Sequence, residues 1–207
     1  LLHSGEIADS AREASTFGVN AQFLSMDMVA VNAYKDGVIT KLHKGLQGLV
    51  KSRNITFVEG HGRLVSKDTV EVNGERYTGT NVVLATGSYA KSLPGLEIDG
   101  VRVMTSDHAT NLNYVPKSVI VLGGGVIGCE FASVWKSFGS EVTIIEGLSH
   151  LVALEDESSS KQLERAYRKR GINFELGVRF KSHTVTADGV TVELEDGKTF
   201  TADVLLV

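Results

Sequence analysis

The stretch SVIVLGGGVIGCEFASVWKSFGSEVTIIE, residues 118–146, decides the fold. It opens on an unbroken apolar run, Val119-Ile120-Val121-Leu122, the pattern of a central parallel strand buried on both faces. Gly123, Gly125 and Gly128 follow at G-x-G-x-x-G spacing. In such a loop the first glycine permits a sharp exit from the strand. The second lets bare backbone approach a pyrophosphate, and the third lets the following helix lie close on the sheet. Ile127, Phe131, Val134 and Phe138 then recur at helical spacing, and Gly139 is placed to stop the helix. A second apolar run, Val142-Thr143-Ile144-Ile145, ends on an acid, Glu146, near the ~20-residue spacing expected of a group that binds the adenosine ribose. Strand, glycines, amphipathic helix, strand and acid together read as a dinucleotide site. Its anion-binding power comes from the free N–H groups and the dipole at the helix N-terminus.

The 207 residues suffice for one large or two small domains, and 42% hydrophobic with 22% charged content is that of a globular protein. A net charge of -4 leaves no electrostatic footprint for nucleic acid or an anionic membrane. The most apolar segment, around residues 119–127, is too short to span a bilayer, and no signal peptide is evident. The single cysteine, Cys129, excludes an internal disulfide and a cysteine-cluster metal site. It reads as a small buried hydrophobe at a helix–sheet contact, although a helix N-terminus can also activate a thiol. The six histidines show no metal-ligand spacing. The chain starts at Leu1 rather than at methionine.

Working outward, residues 2–17 read as a helix stopped by Gly18. Asp27 is placed to cap a longer helix running to about Arg53, with Val31, Tyr34, Val38, Leu42, Leu46 and Leu49 along its apolar face. Residues 55–58 read as a strand. A β-meander follows with Asn73-Gly74 as its hairpin turn, and then a buried-type strand at 82–85 runs into Thr86-Gly87-Ser88. Both prolines, Pro94 and Pro116, fall in a turn-rich passage that reads as a domain boundary. Beyond the glycine stretch come a helix over 156–170 with Leu163, Ala166 and Tyr167 inward, a strand at 172–176, a second meander, and a final strand at 204–207. The two halves repeat one pattern: helix, RNITFVEG, meander, NVVLATG, and then helix, RGINFELG, meander, DVLLV. The expected class is therefore α/β, with two Rossmann-like dinucleotide-binding domains, each carrying a meander and each incomplete. They divide at 1–110 and 111–207, with the chain a piece of a longer protein cut at both ends.

This arrangement resembles the flavin-dependent pyridine nucleotide-disulfide oxidoreductases, and among them the dihydrolipoyl dehydrogenases of bacterial type. The resemblance covers essentially the whole chain and rests on Leu1-Leu2-His3-Ser4-Gly5-Glu6, Lys44-Gly45-Leu46, Gly60-His61-Gly62, Ala85-Thr86-Gly87-Ser88, Gly123 to Glu130, Glu146 and residues 152–157. It implies that the first domain binds FAD, with Gly62, Thr86, Gly87 and Ser88 against the flavin nucleotide. It implies that the second binds NAD through Gly123, Gly124, Gly125, Val126, Ile127, Gly128, Cys129 and Glu130. Glu146 would then bind the adenosine ribose, with Phe180 on the adenine side. The whole enzyme would pass electrons from protein-bound dihydrolipoamide through a disulfide and FAD to NAD+. It would serve the lipoyl domain of a 2-oxoacid dehydrogenase complex or of the glycine cleavage system, as a cytoplasmic homodimer. The family's redox pair, C-x-x-x-x-C, would lie just upstream of Leu1 and its histidine–glutamate pair in a C-terminal domain, so no catalytic residue is expected within the chain. A glutathione- or mercury-directed relative is the alternative within the class. Such relatives commonly use NADP, which Glu146 disfavours. A module that holds NAD without redox chemistry is the alternative outside it.

Overall fold

Alternation along the strands sets the architecture. A computed structural model describes residues 1–207. Its five-stranded parallel sheet has the order β4 (Val103–Met104), β11 (Val204–Leu206), β5 (Ser118–Leu122), β6 (Glu141–Glu146), β7 (Asn173–Leu176). Successive side chains of a strand point to opposite faces. Accordingly Val119, Val121, Val142, Ile144, Val204 and Leu206 join one core, and Ile120, Ile145 and Leu205 join another. The first core is closed by helices, above all α4 (Val126–Phe138) through Ala132, Trp135 and Phe138, with Tyr167 from α5 (Glu157–Arg170). The second is closed by an antiparallel meander of β8 (Phe180–Val185), β9 (Val190–Leu194) and β10 (Thr199–Ala202), through Val190, Val192, Leu194 and Ala202. Helices, parallel sheet and meander form three layers around two cores, a Rossmann-type α/β arrangement as expected.

The helices α4 and α5 stop where the sequence places a glycine. Gly139 and Gly171 cap α4 and α5 in the left-handed conformation, at φ 111 and φ 71. The inward face of α5 is Ser160, Glu164 and Tyr167, with Leu163 half-buried; Ala166, expected inward, is exposed. The N-terminal α1 (Leu2–Glu13) runs on through a short 3-10 turn to Gly18, as the sequence predicts. It lies on α4 where Gly5 permits close approach, since a Cβ there would sit 3.1 Å from Ser137 Cβ.

Packing groups the chain into two units, one of Leu1–Lys35 with Ala90–Val207 and one of Asp36–Tyr89. The reason is local. α1 packs on α4, and β4 pairs with β11 at the edge of the parallel sheet, so residues on both sides of residue 36–89 join the sheet's own unit. The helix α2 (Met28–Ser52) begins in the first unit and ends in the second. Asp27 caps it as expected, its carboxylate accepting from the N–H groups of Val29 and Ala30 at 3.0 Å each.

In the 36–89 unit the meander forms as read: β1 (Arg63–Ser66), β2 (Thr69–Val72) and β3 (Glu75–Thr78). Val72 pairs with Glu75 across Asn73-Gly74, whose φ values of 53 and 84 are those of a type I′ hairpin. The two buried-type strands expected at 55–58 and 82–85 are not formed. No strand lies beside either run to share a ladder, and Phe57 and Val83 are 77% and 84% exposed. The apolar face of α2 from Val38 to Leu49 is exposed as well. No helix of the chain is long and apolar enough to cross a membrane.

Asp27→Ala leaves two first-turn donors of α2 without their acceptor. It is expected to lower stability by about 1 kcal/mol, while Asp27→Ser restores most of the loss. Chemical denaturation of the three proteins checks this.

Candidate dinucleotide site

β5 delivers the chain to Gly123, which turns out of the strand at φ 116 while its N–H donates to the Ile145 carbonyl at 2.8 Å. Few residues other than glycine adopt that conformation. Two residues on, Gly125 is the N-cap of α4, and no side chain caps this helix. The N–H groups of Val126, Ile127 and Gly128 therefore have no acceptor within the helix. Val126 and Ile127 are exposed there, and nothing lies within 4 Å of where a Gly125 Cβ would be. Gly128 has the opposite surroundings. A Cβ on it would sit 2.1 Å from the Gly123 carbonyl oxygen and 3.0 Å from Val121 Cγ1, so only glycine lets α4 rest so near the sheet. The roles read from the spacing, sharp turn, open backbone and close packing, match the geometry at the three positions.

Glu146 ends β6 beside this loop. Its Oε2 accepts from the Gly124 N–H at 2.6 Å and its Oε1 from the Leu148 N–H at 2.7 Å. A carboxylate has about four acceptor sites, so two such bonds fix its orientation and leave capacity for further donors. The acid and the glycine loop are thus brought together, as a ribose-binding group beside a pyrophosphate seat requires. Open backbone at Gly125, free donors at the start of α4 and a half-buried acid beside them fit a dinucleotide.

Cys129 is buried in the second turn of α4, and its thiol donates to the Gly124 carbonyl at 3.4 Å. Burial pushes the thiol up to about 11, and the nearby Glu146 charge acts in the same direction against a lowering hydrogen bond from Tyr167. It is thus the small buried hydrophobe of the two readings, positioned to pack rather than to react. The Tyr167 hydroxyl, itself pushed up by burial, donates to the Cys129 carbonyl at 2.7 Å. Glu130 is exposed on α4. Phe180 opens β8 opposite Leu194 and packs at the margin of the core between sheet and meander. In the other unit, Gly62 precedes β1, and Thr86, Gly87 and Ser88 lie in an exposed stretch without regular structure, where Gly87 takes φ 79.

Three residues to which the sequence reading gives no role in the site support the loop. Leu151 is fully buried, and its Cδ2 lies 2.6 Å from where a Gly124 Cβ would be, so Gly124 is glycine for want of room. Val152 stands at φ 46 and donates its N–H to the Gly124 carbonyl at 2.7 Å. Glu164, buried on α5, accepts from the Leu151 N–H at 3.2 Å. A β-branched residue in the left-handed region costs about 1–3 kcal/mol, and nothing in the residue types of this loop announces it. Glu164 carried one signal, its helical spacing from Ser160 and Tyr167.

The sequence profile of the family described as pyridine nucleotide-disulphide oxidoreductase matches residues 1–207. The chain belongs to this family. The mitochondrial dihydrolipoyl dehydrogenase of Pisum sativum is 37% identical over 218 aligned residues, which cover 100% of this chain and 44% of the pea protein. The dihydrolipoyl dehydrogenase of Bacillus subtilis is 38% identical over 217, covering 97% of this chain and 46% of that protein. The crystal structure of LpdA from Mycobacterium tuberculosis shares the fold, with a TM-score of 0.85 at 24% identity over 99% of this chain and 46% of that one. The chain thus spans a little under half the length of the curated relatives it matches. Membership of the pyridine nucleotide-disulphide oxidoreductases implies an enzyme class that works with FAD and NAD(P).

Two outcomes test this geometry. Gly128→Ala drives a methyl into the Gly123 carbonyl and is expected to cost at least about 1–3 kcal/mol of stability, read by denaturation. Gly125→Ala, placed in open space, should cost about 1 kcal/mol or less. Cys129 should stay unmodified by iodoacetamide at pH 8 in the native protein and react promptly once the protein is unfolded in guanidinium, as mass spectrometry would show.

Proposed function

We propose that this chain is the nucleotide-handling part of a dihydrolipoyl dehydrogenase that uses NAD+. The single observation that carries the reading is the pairing of an uncapped, open glycine loop with Glu146, in a chain whose curated relatives include dihydrolipoyl dehydrogenases at 37% and 38% identity. The whole protein would oxidise protein-bound dihydrolipoamide to lipoamide, acting on the lipoyl domain of a 2-oxoacid dehydrogenase complex or of the glycine cleavage system. It would do so as a cytoplasmic homodimer, with residues 1–110 contributing to an FAD domain and residues 111–207 to an NAD domain. FAD and NAD, when bound, supply the electron and hydride chemistry.

The residues of this chain bind and orient. The N–H groups of Val126 and Ile127, reinforced by the α4 dipole, are the donors for the pyrophosphate of NAD, and Gly125 removes the side chain that would bar its approach. Glu146 accepts from the ribose hydroxyls, its carboxylate already oriented by the Gly124 and Leu148 N–H groups. Gly62 and Thr86-Gly87-Ser88 are assigned to FAD, and Phe180 to the adenine side of NAD. Cysteine redox chemistry belongs to a pair outside these residues, because Cys129 is solitary and buried.

Glu146 also sets the choice of nicotinamide cofactor. Hydrogen bonds to a charged group are worth roughly 1.5–3 kcal/mol. With NADP the 2′-hydroxyl donor is replaced by a phosphate. At ~4 Å and an effective dielectric near ~20, each unit-charge repulsion is then of order 4 kcal/mol before screening. Residues 147–149, Gly-Leu-Ser, bring no positive charge to offset it. NAD(H) should bind at least about a hundredfold more tightly than NADP(H), a difference of ~2.7 kcal/mol. Glu146→Ser should narrow that gap, chiefly by weakening NAD(H). Titrating both cofactors into both proteins tests this, and equal affinities in the unmutated protein would refute the assignment. The 207 residues alone are expected not to oxidise dihydrolipoamide with NAD+, a result that turnover by the isolated chain would contradict.

A further inference from the structure

The segment between β6 and α5 is fastened to the glycine loop in a way that ribose binding does not require. Leu151 fills the space beside Gly124, and its N–H is held by the buried Glu164. The next residue, Val152, is kept at φ 46, and its N–H meets the Gly124 carbonyl at 2.7 Å. The Cys129 thiol donates to the same carbonyl. Such a conformation persists in a β-branched residue only where its surroundings over-determine it. Here those surroundings are the Glu164 side chain on one side and the Gly124 peptide on the other.

The peptide joining Gly124 to Gly125 is planar and trans, so its C=O and N–H point in opposite directions. With the carbonyl held inward by Val152 and Cys129, the Gly125 N–H is turned toward the open side of the loop. Meanwhile the Gly124 N–H is held by Glu146.

We infer that Glu164 is a positioning residue for the nucleotide site: by clamping residues 151–152 it sets the orientation of the Gly124–Gly125 peptide and so presents the Gly125 N–H to a bound pyrophosphate. The inference rests on the NAD reading above only in naming what the presented N–H meets. Arg168 approaches the other Glu164 oxygen at 3.6 Å from an exposed position, so the Leu151 N–H is the partner that matters. Glutamine keeps a side-chain oxygen for that N–H, whereas alanine does not.

Hydrogen exchange, followed by mass spectrometry on overlapping peptides, separates the clamp from plain stability. In Glu164→Ala, amides of residues 123–125 and 147–153 should exchange at least tenfold faster than in the unmutated protein. Those of β5, residues 118–122, should change less than threefold, and Glu164→Gln should restore the protected pattern. NADH titration should show at least fivefold weaker binding in Glu164→Ala and binding within twofold of the original in Glu164→Gln. Unchanged exchange over 123–125 in Glu164→Ala, equal acceleration across β5, or failure of Glu164→Gln to restore protection would each overturn the clamp. Absence of NADH binding to the unmutated protein would instead overturn the NAD reading, and the exchange rates would still decide the clamp.

Discussion

One close approach governs this molecule: the first turns of α4 lie against the end of β5 with no side chain between Gly128 and the Gly123 carbonyl. Because the helix starts that near the strand, its uncapped N-terminus opens at the carboxyl end of the parallel sheet, where β6 also ends in Glu146. In open parallel sheets that edge is where ligands collect, since helix N-termini and strand ends meet there. The free N–H donors of α4 and the Glu146 carboxylate are therefore neighbours by construction. A larger residue at 128 would push α4 away and separate them. Packing and site chemistry thus answer to the same missing methyl.

The layer arrangement keeps this edge rigid. Alternate residues of β5, β6 and β11 enter two different cores, so the sheet is held from the helix side and the meander side at once. Glu146 sits where that apolar alternation ends. Its carboxylate accepts from two backbone N–H groups, those of Gly124 and Leu148, which fix its orientation against the loop.

Much of this was legible because it depends on patterns of period and spacing. The runs 119–122 and 142–145, the three glycines, the stops at Gly139 and Gly171 and the Asn73-Gly74 hairpin all form as the residue types require. What stayed hidden depends on tertiary fit. Val152 carries no local signal for a positive φ, since its conformation is imposed by Leu151, Glu164 and the Gly124 carbonyl. Ala166 read as inward because it is apolar, yet the helix turns Glu164 in instead, where a loop N–H needs an acceptor. The bonds that Glu146 makes to the loop were equally invisible, since residues 124 and 146 meet only once β5 and β6 are paired.

The two halves of the chain show how far a local pattern determines a strand. RGINFELG places β7 in the parallel sheet because β6 lies alongside it, and DVLLV becomes β11 because β5 and β4 flank it. RNITFVEG and NVVLATG carry the same apolar texture, yet no strand lies alongside them, and their side chains stand in solvent. The meanders, whose strands are neighbours in sequence and pair with one another, form in both halves alike. A hairpin contains its own partner, whereas a parallel strand must receive its partner from across a helix. Sequence texture therefore decides which residues are able to be a buried strand, and the neighbouring strand decides whether they become one. The same dependence makes the candidate site a property of the assembled sheet: Glu146 reaches the glycine loop only through the β5–β6 ladder, whose register sets Leu122 against Ile145 and so brings Gly123 and Gly124 beside the acid.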